Sequence, residues 1–282
     1  MIQDIAPHQY KNEYRPVPPE KDSYALYYEN HVALVKRVGE EIDFPTFGDL
    51  EKIDESIYNE YTYLFSIDDR RFYLVEDIDR EPLSEFNLEN TEIFRRAQPQ
   101  YLSFAGITGY QLYNWYQNHH YCGKCGKVMK KDEKERMLFC EKCHTMEYPK
   151  LSPATIIGVH HGNRLLLSKY AGRAYTNYAL LAGFVEIGEP IEDTVKREVM
   201  EEVGLKVKNI TYYKSQPWSF SDTVLMGFYA ELDGEEEITL DREELAMAEW
   251  FEREDVPDMP GNGSLTSEMI MRFKNNEHPI EP

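Results

Sequence analysis

Residues 183–205 read GFVEIGEPIEDTVKREVMEEVGL, and the fold is decided by how this stretch is read. From Ile191 onward, Val195, Val199 and Val203 recur every four residues, the spacing of one buried helical face. Pro190 suits the first helical position, where a missing N–H is no loss. Gly183, Gly188 and Gly204 let the chain bend tightly at both ends. At about 100° per residue, Glu198, Glu201 and Glu202 fall on one stripe away from the valines. An ordinary solvated helix pairs Glu with Lys or Arg four residues on; here Arg197 and little else stands near. A bland reading is a charged solvent face. The sharper one is a site for a hard cation with oxygen ligands, Mg²⁺ or Mn²⁺, which also binds phosphate oxygens. Arg197 can then hold a carboxylate in place by a bidentate hydrogen bond, which Lys would not reproduce.

Working outward, 151–161 (LSPATIIGVHH) and 164–170 (RLLLSKY) read as strands around a turn at 160–163, followed by a strand in 178–186 (YALLAGFVE). Beyond the helix, 206–214 and 223–232 have strand character and 243–250 suggests a helical or turn segment. An amphipathic helix, 264–275 (SLTSEMIMRFKN), closes this region. Upstream, short β-rich runs at 24–37, 61–67 and 71–77 alternate with acidic turns, and a helix is expected over 103–119. The first 22 residues read as a frayed, proline-rich lead-in. The expected organisation is α+β, with a mixed α/β domain over 1–120, a cysteine-bearing segment over 121–150 and the helix-bearing domain over 151–282.

All four cysteines lie in that middle segment, as CGKC at 122–125 and CEKC at 140–143. Two C-x2-C knuckles present Cys122, Cys125, Cys140 and Cys143 in the tetrahedral set that Zn²⁺ accepts. With four protein ligands no position is left for water, so one structural zinc is expected, not a catalytic one. The alternatives are two disulfides or four free thiols, and His144 reads as a bystander.

The formal charge of −20 argues against general nucleic-acid binding. Only 121–150 runs against it, with eight Lys/Arg to five Asp/Glu. With 41% hydrophobic residues, 21 Tyr and 13 Phe, the composition is globular, without a bilayer-length apolar run or a secretory-type lead. A cytoplasmic location and no membrane partner are the corresponding expectations.

The 183–205 stretch matches the Nudix box, G-x5-E-x7-R-E-U-x-E-E-x-G-U with U apolar, at every fixed position. The chain therefore resembles Nudix hydrolases, which cleave diphosphates with divalent cations held by the box glutamates. SQPWSF at 215–220, the four-cysteine ribbon before the box and YPKLSP at 148–153 are similar to the NADH pyrophosphatase branch, some of whose members remove NAD caps from RNA. The resemblance is strong over about 110–270 and weak over the first hundred residues. Ser219 and Ser221 stand where that branch has prolines, and Thr223 replaces a serine, which bears on substrate preference.

What this resemblance implies is a C-terminal α/β/α sandwich on a mixed sheet, and hydrolysis of NADH or NAD⁺ to (reduced) nicotinamide mononucleotide and AMP. ADP-ribose or another nucleoside diphosphate derivative is the alternative substrate. By the same resemblance, Glu198, Glu201, Glu202, the Ala182 carbonyl and Glu244 hold two or three Mg²⁺ or Mn²⁺ ions, with Glu243 as the competitor to Glu244. Arg197 joins the catalytic set. Phe184 and Tyr148 are to enclose a flat base. Glu135, Thr266 and the loop 216–223 (Gln216, Pro217, Trp218, Ser219, Phe220, Ser221, Asp222, Thr223) are to contact the nucleotide. A homodimer is implied as well.

Overall fold

In the computed structural model, residues 1–172, 176–259 and 263–277 are described. The chain divides into two compact units. One takes in Ile2–Lys150 with Ser219–Ser221; the other takes in Met1, Leu151–Trp218 and Asp222–Pro282.

In the first unit, strands β1 (Tyr10–Lys11), β2 (Tyr24–Leu26), β6 (Thr62–Ile67) and β7 (Arg70–Leu74) form one sheet in the order β1-β6-β7-β2. Strands β3 (Tyr28–Glu29), β4 (Val32–Val38), β5 (Glu41–Asp43) and β8 (Asn87–Asn90) form a second. A short helix α1 (Phe47–Leu50) is closed by a Thr46/Asp49 capping box. Side chains alternate across β2: Tyr24 and Leu26 join one hydrophobic cluster and Ala25 the other. Helix α2 (Gln100–Asn118) lays Leu102, Phe104, Ala105 and Ile107 into the larger cluster. The lead-in is not frayed throughout, contrary to expectation. Tyr10 pairs with Ile67 and Ile5 is 6% exposed, because β1 satisfies the open edge of β6.

Residues 121–150 add β9 (Lys130–Lys131), β10 (Leu138–Phe139) and β11 (Met146–Glu147), a three-stranded antiparallel ribbon. Cys122, Met129, Leu138 and Cys140 are buried in the same cluster as α2. Tyr14 donates to the Asp132 carbonyl (3.1 Å), and Arg136 donates to the carbonyls of Leu64 and Asn12.

The second unit is a mixed sheet between two helices. Its strands are β12 (Ser152–His161), β13 (Arg164–Tyr170), β14 (Leu181–Phe184), β15 (Val207–Trp218), β16 (Thr223–Leu232) and β17 (Leu245–Glu252). They run β15-β16-β12-β13-β17, with β14 also on β12; the β12–β16 pair is parallel and the others antiparallel. Period-two alternation sends Ile157, Val159, Phe228 and Ala230 to one face and Ile156 and Tyr229 to the other. Helix α3 (Ile191–Val203) covers the first face with Val195, Val199 and Val203, all fully buried; α4 (Leu265–Lys274) covers the second with Leu265, Met269, Ile270 and Phe273. This is the expected α/β/α sandwich. Residues 245–252 differ from expectation: LAMAEWFE has helix-forming residues, yet it is the antiparallel edge partner of β13, so tertiary pairing overrides propensity. β15 likewise runs four residues past 214, so 216–218 is strand and only 219–222 is turn. Among the described residues, no helix is long and apolar enough to cross a membrane.

Candidate active site

Helix α3 begins after Pro190, which occupies the cap position one residue before the expected place, and ends at Gly204 in the left-handed region (φ 69°). Burying three valines contributes roughly 1.5 kcal/mol or more each. That stabilisation offsets the cost of what sits beside them: Glu198 is 9% exposed and Glu202 2%. The three box glutamates are thus not equivalent. Glu198 and Glu202 point inward, while the Glu201 side chain is 57% exposed.

Arg197 supplies the positive charge the stripe needs. Its Nε and Nη2 grip Glu189 at 2.8 and 3.0 Å, a bidentate pair. Its Nη1 donates to Glu198 at 2.7 Å and to Glu201 at 2.8 Å, and Nη2 also donates to the Phe184 carbonyl at 3.0 Å. Glu189 is fixed from its other side by the Thr194 hydroxyl (2.8 Å) and the Glu186 N–H (3.2 Å). Hydrogen bonding from Arg197 above all holds the Glu189 carboxyl at a pKa of about 2. The contribution of this pairing to stability is therefore present above the ordinary glutamate value and is lost as pH falls toward 2. Glu189 and Thr194 carried no assigned role in the sequence reading. Glu189 is a fixed box position and was findable; Thr194 lies among the variable ones.

Burial pushes the Glu198 carboxyl above the usual carboxylate range, against the pull of Arg197, and the charges of Glu201 and Glu244 push the same way. Glu244 thus reaches Glu198 electrostatically. The backbone explains the approach. Thr239 N–H bonds the Val203 carbonyl and Asp241 N–H bonds that of Glu202 (both 2.9 Å), so 239–244 is tied to the end of α3. Strand β14 passes so close to Glu198 that a Cβ on Gly183 would lie 1.8 Å from its carboxyl carbon. Ala182 is the neighbour of Gly183 in β14, paired with Ile156.

These donors suit a hard divalent cation: carboxylates, two of them inward-facing, with the Glu198 carboxylate itself seated where a side chain at 183 would be. They do not converge by themselves. Among the described residues, the one group of three or more His, Cys, Asp or Glu ligand atoms within 4.8 Å of one another is Cys122, Cys125, Cys140 and Cys143. There the sulfurs stand 3.3 Å (122–143), 3.5 Å (125–140), 3.4 Å (140–143) and 3.7 Å (125–143) apart, with no disulfide. Thiolates about 2.3 Å from a central zinc would stand roughly 3.8 Å apart. The two knuckles repeat one backbone pattern. Cys122 N–H bonds the Lys127 carbonyl and Gly126 N–H bonds that of Cys122; Cys140 N–H bonds the Thr145 carbonyl and His144 N–H bonds that of Cys140. Gly126 (φ 70°) and His144 (φ 56°) are both left-handed, so His144 has a backbone part. The Thr145 hydroxyl, with help from Cys122, draws the Cys143 thiol down to about 6.

The residues expected to contact the nucleotide fall in both units. In the second, Phe184 is 56% exposed with its carbonyl held by Arg197. Pro217 is exposed, and Trp218 pairs with Thr223 across the turn, where Asp222 takes φ 54° and accepts the Ser152 N–H (2.7 Å). Gln216 is fully buried; its amide donates to the Gly263 carbonyl (2.9 Å) and accepts the Leu265 N–H (2.7 Å), so its side chain fixes the start of α4, where Thr266 lies. In the first unit, the Tyr148 hydroxyl donates to Glu135 (2.8 Å). Phe220, flanked by Ser219 and Ser221, packs against the larger cluster with Arg95 4.0 Å over its ring, an anchored side chain in place of an open stacking surface.

Residues 150–271 match the NUDIX domain, so the helix and its glutamates belong to a Nudix domain. Residues 117–148 match the NADH pyrophosphatase zinc ribbon domain, so the chain carries a Nudix domain preceded by the zinc ribbon of the NADH pyrophosphatase type. It is 39% identical over 162 residues to the NAD-capped RNA hydrolase NudC of Escherichia coli O1:K1 / APEC, and equally to that of strain SMS-3-5 / SECEC. Each match takes in 57% of this chain and 63% of the relative, so it spans less than two thirds of the relatives' length. A solved NUDIX hydrolase from Nitrosomonas europaea is similar at 24% identity and a TM-score of 0.49, over 57% of this chain and 94% of that one.

Proposed function

We propose that this protein hydrolyses the pyrophosphate bond of NADH and NAD⁺ to (reduced) nicotinamide mononucleotide and AMP, and removes NAD caps from RNA 5′ ends. The observation that carries the reading is the pair of inward-facing carboxylates, Glu198 and Glu202, with Arg197 and Glu244 arranged around Glu198. The NAD-capped RNA hydrolases to which the chain is similar and the type of the ribbon support the choice of substrate.

Glu198, Glu201, Glu202, Glu244 and the Ala182 carbonyl would hold Mg²⁺ or Mn²⁺. When bound, such ions supply charge neutralisation at the bridge and a lowered pKa for the attacking water. Arg197 keeps Glu198 and Glu201 aimed, and Glu189 keeps Arg197 in place. Glu201 and Glu202 are the carboxylates to accept the water's proton. Phe184, exposed on a strand whose carbonyl is anchored, offers its ring to a flat base. The four cysteines hold zinc for the ribbon's fold. A homodimer and a cytoplasmic location complete the proposal, and light scattering at working concentration tests the first.

The deciding experiment is product analysis with NADH, NAD⁺, ADP-ribose and NAD-capped RNA in Mg²⁺ or Mn²⁺. Nicotinamide mononucleotide and AMP as products support the reading. Cleavage of ADP-ribose alone would replace it with a general nucleoside diphosphate hydrolase, and no cleavage of any dinucleotide would end it.

A further inference from the structure

The ribbon carries a feature that neither its cysteines nor the glutamate helix uses. Residues 121–131, YCGKCGKVMKK, hold four lysines and no carboxylate, in a chain of formal charge −20. Lys124 and Lys142 sit at the same position of the two knuckles, between cysteines whose sulfurs all lie within 4.8 Å, so both ride at the cysteine end of the ribbon. Lys127 closes the first knuckle through its carbonyl. All three are exposed, and among the described residues none takes part in an ion pair. Their neighbours are occupied: Lys130 pairs with Glu141 at 2.7 Å and Lys131 turns onto Thr62. At the base of the same knuckle, Tyr121 and Val128 face each other across an isolated antiparallel bridge, 62% and 54% exposed. Residues so paired project from the same side.

Free cations beside an exposed ring suit single-stranded nucleic acid: ammonium groups track the phosphates and the ring stacks on a base, whatever its sequence. An apolar protein partner would have to desolvate three lysines without compensation. An acidic peptide would leave the tyrosine unused. We infer that Lys124, Lys127 and Lys142, with Tyr121 and Val128, form a binding face for single-stranded RNA. The inference rests on the proposed action on NAD-capped RNA. That substrate brings a polyanionic chain, which a protein of this charge repels unless a local basic face receives it.

The test uses the full-length, zinc-loaded protein and a short, labelled, uncapped single-stranded RNA, with anisotropy followed over a salt series. Single-strand binding loses about 0.7 of log–log salt slope for each phosphate contact. The variant combining Lys124→Gln, Lys127→Gln and Lys142→Gln flattens the slope by roughly two and weakens binding on the order of tenfold. Tyr121→Ala weakens binding about tenfold with the slope unchanged. NADH turnover and zinc content stay at parent values in both. An unchanged slope and Kd in the glutamine variant overturn the inference. So does an effect confined to zinc affinity, the mark of lysines that only offset thiolate charge. Failure of the catalytic proposal shows separately, as absent NADH turnover with RNA binding intact.

Discussion

Four cysteines and four glutamates in this chain each suit a cation, and the fold prepares them differently. In the ribbon, two backbone turns of the same design bring four sulfurs within 4.8 Å of one another. Four sulfurs can be packed this way because a thiol, unlike a carboxylate, can stay protonated until metal takes the proton's place, and the one drawn down, Cys143, is held by hydrogen bonds from the Thr145 hydroxyl and its neighbouring thiols. Carboxylates charged at neutral pH repel at such distances. Around α3 the chain therefore does not gather them; Arg197 takes up Glu189, Glu198 and Glu201, and β14, lacking a side chain at Gly183, makes room for the Glu198 carboxylate. The ribbon is a site for holding, the helix a site for exchange.

The contrast can be broken at several points. Glu202→Gln keeps shape and removes a charge, so turnover of NADH with Mg²⁺ or Mn²⁺ is expected to fall on the order of a thousandfold, with the melting temperature nearly unchanged. Normal turnover in that variant would dissolve the proposed ligand set. Stripping zinc should lower the calorimetric melt by on the order of 10 °C, whereas withdrawing Mg²⁺ or Mn²⁺ should move it by about 2 °C or less. Equal shifts would mean that the two sites do not differ as described. Gly183→Ala drives a methyl group onto the Glu198 carboxyl, so activity should drop about a hundredfold and stability by about 1–3 kcal/mol, read from kinetics and urea melts. The smallest effects lie in the knuckle turns. Gly126→Ala meets no atom within 4 Å and should cost only the left-handed backbone, about 1 kcal/mol; His144→Gly should change stability by less than ~1 kcal/mol.

Much of the site was legible because its signals are local. The helix expected from the valine spacing is α3, with Pro190 only one position off, since valine spacing, Pro190 and Gly204 all act within one segment. The cysteine cluster followed from spacing alone. Less was legible where partners are distant. Leu245–Glu252 has the composition of a helix and becomes a strand because β13 offers an edge. Gln216 looked like a ligand contact, but its amide bonds backbone some fifty positions away at α4, a pairing no local pattern encodes. The inequality of Glu198, Glu201 and Glu202 was also hidden, because helical angle gives a stripe and not what packs upon it.

The two main-chain bonds from Thr239 and Asp241 onto the last turn of α3 set a rule for length. Extra residues inserted at 233–238 would bulge outward and leave Glu244 where it is, since it is held from 239 and 241 on one side and, on the other, by its own carbonyl, which accepts the Ala171 N–H at 2.8 Å. A single residue inserted between 241 and 244 falls between those two anchors, so one of them must give way with every original side chain still present.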